Sequence, residues 1–286
     1  MLKHFPTALL TLLLAAGCTT PMGAPSSTTP DGWHLIEQRD YSAALQQFDR
    51  ELARTDSAKA HAGKARALHL GGAGSQALVS WNAAIQRDPE CARWHVGRSL
   101  VLFERGDWDG VRTACDVALR IDPAYAKAHY NRGLANQADG QPEQARRDLN
   151  QALSIDPGFA LAYEARGVLA VHAGQLNSAV ADFKQALALE PRLSTASASC
   201  AAAQYAQGNV EAALLSLNMA LRIDRRSSQL YANRGRIYLD LNEPARAERD
   251  FRQALYLSPR DAQLTALLSN ARAAVQVRDA SASTSR

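Results

Sequence analysis

Two consecutive stretches of this chain align residue for residue at an offset of 34: AKAHYNRGLANQADGQPEQARRDLNQALSIDP from Ala126 and ALAYEARGVLAVHAGQLNSAVADFKQALALEP from Ala160. Gly133 matches Gly167, Gly140 matches Gly174 and Ala145 matches Ala179. Leu149 matches Phe183, Ala152 matches Ala186 and Pro157 matches Pro191. A period of this length constrains the fold more than any other feature. It marks an array of small supersecondary units that cannot bury their apolar faces alone and must stack. Carried outward, the frame places unit starts near Pro25, Ala58, Ala92, Ala126, Ala160, Ser194 and Ser228, with the first unit one residue short of phase.

Each unit breaks at its fifteenth position, where Gly72, Gly106, Gly140, Gly174 and Gly208 can end a helix in the left-handed conformation. Apolar residues recur at helical spacing on both sides of the break. The unit is therefore expected to be a helical hairpin. Small residues at the eighth and twentieth positions (Gly133 and Ala145 in the fourth unit) let the two backbones approach. A bulky residue at position 24, such as Phe48, Trp81, Leu149, Phe183 or Phe251, fills the space beside them, and the Ala at position 27 admits the next unit. Pro89, Pro123, Pro157, Pro191 and Pro259 stop the second helix, whereas the sixth unit has Arg225 there. Residues 261–277 (DAQLTALLSNARAAVQV) read as a further first-type helix that caps the stack, so the folded array spans 31–277. Residues 278–286 read as a frayed tail.

This pattern at period 34 resembles the tetratricopeptide repeat, over nearly all of the chain beyond its N-terminal segment. The resemblance implies an all-α fold, a right-handed superhelical solenoid of helical hairpins with a C-terminal capping helix. It also implies that first-helix positions 2, 5, 6, 9, 12 and 13 line a groove for a partner. Those positions supply Lys59, Arg66, Arg93, Phe103, Lys127, Tyr130, Asn131, Glu164, Tyr205, Asn233 and Arg236 as candidate groove residues. Asn131 and Asn233 match the family's position-6 Asn, which bonds the backbone of a bound extended peptide. The carboxylate clamp of chaperone-binding members is not matched, because Gly63, Gly97, Ala165 and Ser199 stand where it needs Asn.

The N-terminus carries a different signal. Lys3, an apolar run from Phe5 to Ala16 too short to span a bilayer, and Leu14-Ala15-Ala16-Gly17-Cys18 resemble a bacterial lipoprotein signal. Ala15 stands where that family more often has Leu. The resemblance implies removal of residues 1–17 and lipidation of Cys18, palmitate included. With Thr19 rather than Asp after the Cys, it implies sorting to the outer membrane, facing the periplasm. Residues 18–30, rich in Ser, Thr and Pro, would form a disordered tether reaching roughly 20 Å on average.

Chemistry is hard to place on this chain. His61, His95 and His129 repeat at spacing 34, which puts them on successive units rather than around one metal. Gly72-Ala73-Gly74-Ser75-Gln76-Ala77 loosely fits a phosphate loop but follows a helix, not a strand. Cys91 and Cys115 share the third unit and stand either as free thiols or as a bridge. No nucleophile constellation appears, so no enzyme activity, cofactor or metal is expected. The net charge of +4, without a dense Lys/Arg run, does not point to nucleic acid. The function expected is a scaffold that holds an extended segment of an envelope protein. Lipoproteins of the resembled kind serve pilus assembly and secretion, and others are adaptors for peptidoglycan hydrolases and proteases. A polysaccharide-export component is a further alternative.

Overall fold

Local signals decide where each helix starts and stops. The computed structural model describes residues 31–284, so the signal segment, Cys18 and the tether lie outside the described residues. Fifteen helices are present among the described residues, in two compact units that divide at Pro157. The first unit holds α1 (Gly32–Glu37), α2 (Tyr41–Arg54), α3 (Ala58–Leu70), α4 (Gly74–Arg87), α5 (Ala92–Glu104), α6 (Trp108–Ile121), α7 (Ala126–Ala138) and α8 (Pro142–Ile155). The second holds α9 (Ala160–His172), α10 (Leu176–Leu189), α11 (Ser194–Ala206), α12 (Val210–Ile223), α13 (Ser228–Asp240), α14 (Pro244–Leu257) and α15 (Ala262–Thr284). The fold is all-α, a succession of helical hairpins, with six first helices starting on the frame read from the sequence.

The hairpin turn is made by one residue in the left-handed region. Gly106, Gly140 and Gly174 all sit at φ 71°, and the chain then closes on the helix it has left, as with Gln141 N donating to the Asn136 carbonyl at 2.8 Å. Arg39 (φ 63°) and Asn242 (φ 56°) occupy the same slot in the first and seventh hairpins, where the turn keeps its shape without Gly. The stop after the second helix also tolerates change. α12 ends at Ile223 although Arg225 replaces the proline, because Asp224 accepts from the Arg226 amide at 2.9 Å. Asp122 accepts from Ala124 N in the same way at 3.0 Å.

The bulky residue at position 24 is the core of each hairpin. Phe48, Leu149, Phe183, Leu217 and Phe251 are fully buried. Phe183 and Phe251 lie against Gly167 and Gly235 of their own first helices, where an added Cβ would meet the ring at 2.7 and 2.8 Å. Two of these side chains also press into the next hairpin: Phe48 reaches Gly63, and Trp81 reaches Gly97. Position 6 of α3 and α5 is therefore a packing site, left bare so that the preceding ring can enter. At the C-terminus α15 packs through Leu264, Leu268 and Ala271 onto α14. It runs on to Thr284, so residues 278–284 of the segment read as a frayed tail continue the helix.

Candidate interaction surface

The cations of the first helices sort into two rows with different fates. The first row sits at position 7. Arg132 on α7 donates from Nε and Nη2 to Asp148 on α8 at 3.0 and 2.6 Å, and from Nη1 to Asp116 on α6 at 2.6 Å. Arg166 binds Asp182 (2.9 and 2.7 Å), and Arg234 binds Asp250 (2.8 and 2.7 Å) while Nη1 reaches Asn218 of the previous hairpin (2.6 Å). Lys64 bonds Asp49 of its preceding hairpin at 2.7 Å. These cations join a first helix to its own second helix, to the preceding hairpin, or to both. Burial alone would raise the Asp148 carboxyl, but His129, with Nδ1 3.6 Å from Oδ1, and the bonds from Arg132 outweigh that and hold it below the usual carboxylate range. The clamp escaped the sequence reading, although Arg and Asp recurring 16 residues apart in three units was a visible signal.

The second row sits at position 2. Lys59 and Arg93 are exposed and Lys127 is partly exposed, one residue past the start of α3, α5 and α7. Arg66 on α3 is also partly exposed. Among the described residues none of these four forms an ion pair, in contrast to the clamped row. The position-2 cations therefore belong to the first unit. In the second unit, position 2 carries Leu161, Thr195 and Gln229.

The other candidate residues fall elsewhere. Tyr130 (2% exposed) and Asn131 (5%) are interior side chains, and Asn131 donates to Ser99 Oγ at 3.0 Å. The expectation that Asn131 faces a peptide fails because position 6 packs toward the preceding hairpin. Glu164 is buried too (2%). Burial, reinforced by the nearby Glu190, pushes its carboxyl up to about 7 against the opposing bond from Thr195. Phe103 packs edge-on against Trp108 at 5.0 Å, and its neighbour Glu104 lies 2.9 Å from the buried His69. In the second unit Tyr205 donates to Asp240 at 2.7 Å, and Asn233 accepts from Gln229 at 3.0 Å. Both, with Arg236, are partly exposed.

Cys91 and Cys115 are free thiols, and burial pushes the Cys115 thiol up to about 12, so it is inert as a nucleophile at neutral pH. Among the described residues no group of three or more His, Cys, Asp or Glu gathers to hold a metal, and no helix is long and apolar enough to cross a membrane. His61, His95 and His129 each tie a first helix to the end of the preceding hairpin: His95 and His129 bond the Pro89 and Pro123 carbonyls at 2.9 and 3.1 Å, and His61 pairs with Asp56.

Family models described as tetratricopeptide repeat match residues 74–126, 126–159, 170–237 and 228–261. The chain is a tetratricopeptide-repeat protein, the matches together spanning more than half of it, and this fold defines a scaffold for protein–protein interaction. No curated protein matches the chain in sequence. Among solved structures it resembles a chain of the APC/C hetero-tetramer Cut9–Hcn1 (TM-score 0.71, 18% identity, 84% of this chain). It spans about half (48%) of that chain. It also resembles a tetratricopeptide repeat protein from Parabacteroides merdae (0.64, 18%, 84% of this chain and 96% of that one). A third is PilW, a type IV pilus biogenesis factor (0.66, 20%, 74% and 98%). At these identities the likeness is one of fold.

Proposed function

We propose that this protein is a non-enzymatic scaffold of the bacterial envelope that holds an extended, acidic segment of a partner against the first helices of its N-terminal unit. One observation carries the proposal. Lys59, Arg93 and Lys127 recur at the same position on three successive first helices, unpaired, while the position-7 cations of α3, α7, α9 and α13 are spent on internal carboxylates. A row of like charges spaced one hairpin apart suits a chain lying across the hairpins, and charge of this kind speeds encounter and sets register. Cys18 and the Ser/Thr/Pro-rich segment after it would tether the scaffold to the outer membrane on its periplasmic side. The likeness to a pilus biogenesis factor fits a role in pilus or secretion-system assembly.

The test uses the full chain and a labelled extended peptide rich in Asp and Glu. The wild type is expected to bind it with an affinity that falls as salt rises. Replacing Lys59, Arg66, Arg93 and Lys127 by Glu should abolish binding and leave the melting temperature unchanged; undiminished binding by that variant refutes the assigned surface. Incorporation of labelled palmitate into the wild type but not into Cys18→Ser tests the anchor.

A further inference from the structure

Helix α12 is apolar on two sides. Its inward row, Ala213, Leu217, Ala220 and Leu221, is buried in the core of the second unit. Its outward row is Leu215, Met219 and Ile223, which are 61%, 57% and 47% exposed. These three stand four residues apart, so they form one continuous ridge along the helix rather than scattered surface contacts. At the first two of these positions α8 carries Arg147 and Gln151, and α14 carries Arg249 and Gln253. A helix that is apolar all round belongs in an interior, yet this ridge faces solvent. The charges at its two ends differ in sign. Glu211 lies four residues before Leu215 and continues the ridge at the N-terminal end. Arg222 and Arg226, three and seven residues after Met219, fall on the same face at the C-terminal end. All three are exposed, and among the described residues none of them forms an ion pair.

We infer that this ridge is a self-association surface on which a second copy of this chain docks, α12 against α12 in antiparallel orientation about a two-fold axis at Met219. The residue spacing sets the pairing. Turning one helix end for end about Met219 sets Leu215 of one copy against Ile223 of the other, and the reverse. The same rotation brings Glu211 of one copy to within one residue of the level of Arg226 of the other. The apolar ridge supplies the burial and the end charges set the direction. A parallel pairing sets Glu211 on Glu211 and the arginines on one another, which like-charge repulsion disfavours. Such an isologous contact uses the same patch on both copies and closes at two. An acid at one end and bases at the other make the ridge complementary to itself, which a membrane surface of a single sign does not match. The contact is one helix face, below about 1,200 Å² in total, so the dimer is a reversible one.

The experiment follows the full chain by sedimentation equilibrium at low salt, in a Cys18→Ser background so that neither a thiol nor an acyl chain at that residue joins two copies. The expected result is a monomer–dimer equilibrium with a dissociation constant on the order of 10–100 µM. Met219→Glu, at an exposed position on the axis, should leave the chain monomeric up to about 500 µM with its melting temperature as a monomer unchanged. Glu211→Arg should weaken association about tenfold, and adding Arg222→Glu and Arg226→Glu to that variant should restore it. A parent chain that stays monomeric, a dimer retained by Met219→Glu, or no recovery in the charge-reversed chain each overturns the pairing.

Discussion

Asp148→Ala removes the most heavily used carboxylate of the clamp and turns the fourth hairpin into a copy of the third. Asp148 is 6% exposed and receives Arg132 through two nitrogens and the Asn136 amide at 3.0 Å. Truncating one partner of a buried ion pair costs about 3–5 kcal/mol, because the surviving charge is stranded. The Arg132 side chain keeps 27% exposure and a second carboxylate in Asp116, which places its share below that range, at roughly 2 kcal/mol by the same reasoning. Asn136, 4% exposed, loses its acceptor, which adds about 1 kcal/mol. The expected loss is therefore about 3 kcal/mol for the fourth hairpin and its neighbours. Urea unfolding followed by circular dichroism, with hydrogen exchange of α7 and α8 to localise the change, measures it. The sign with pH is also determined. The folded Asp148 pKa lies below its ordinary value, so its contribution is present above roughly pH 3.9 and fades as pH falls through the folded value. The gap between wild type and variant should accordingly close in acid. A loss below about 1 kcal/mol at neutral pH, or a gap that persists at low pH, refutes the clamp as a stabilising element.

Three further changes test other parts of the structure. Arg39 holds a left-handed conformation (φ 63°) in the slot where five other hairpins use Gly, so Arg39→Gly should raise stability by about 1 kcal/mol and lift the melting temperature. Gly97→Ala puts a Cβ into the ring of the buried Trp81; a loss of about 1–3 kcal/mol is expected, and a neutral result would show that the ring moves aside freely. Glu164 has a folded pKa of about 7 against 4.5 when free, so it supports the fold fully below pH 4.5 and loses that contribution as pH rises toward 7. Glu164→Gln should flatten the decline in stability of the second unit between those values, and an unchanged pH profile would contradict the buried, proton-holding carboxyl.

The helices and their ends were legible in the chain because each hairpin is specified locally, by a turn residue, a bulky residue at position 24 and a stop residue, and then repeated. Repetition turned weak signals into a frame that placed Ala58, Ala92, Ala126 and Ala160 at their helix starts. The candidate surface was legible only in part. Lys59, Arg66, Arg93 and Lys127 were named and lie exposed or partly exposed, whereas Tyr130, Asn131 and Glu164 were named by the same positional rule and lie inside.

The reason for that split is geometric. The 34-residue period fixes which residues share a helix and a turn, since those are neighbours along the chain. Burial at positions 5 and 6 depends on how closely one hairpin approaches the next, and that is set by rings such as Phe48 and Trp81 reaching Gly63 and Gly97 of the following unit. Charge behaves the same way. Whether an arginine is a rivet between helices turns on the residue 16 positions later and on the preceding hairpin; Arg98, with Ala114 at that distance, makes no bond from its Nε.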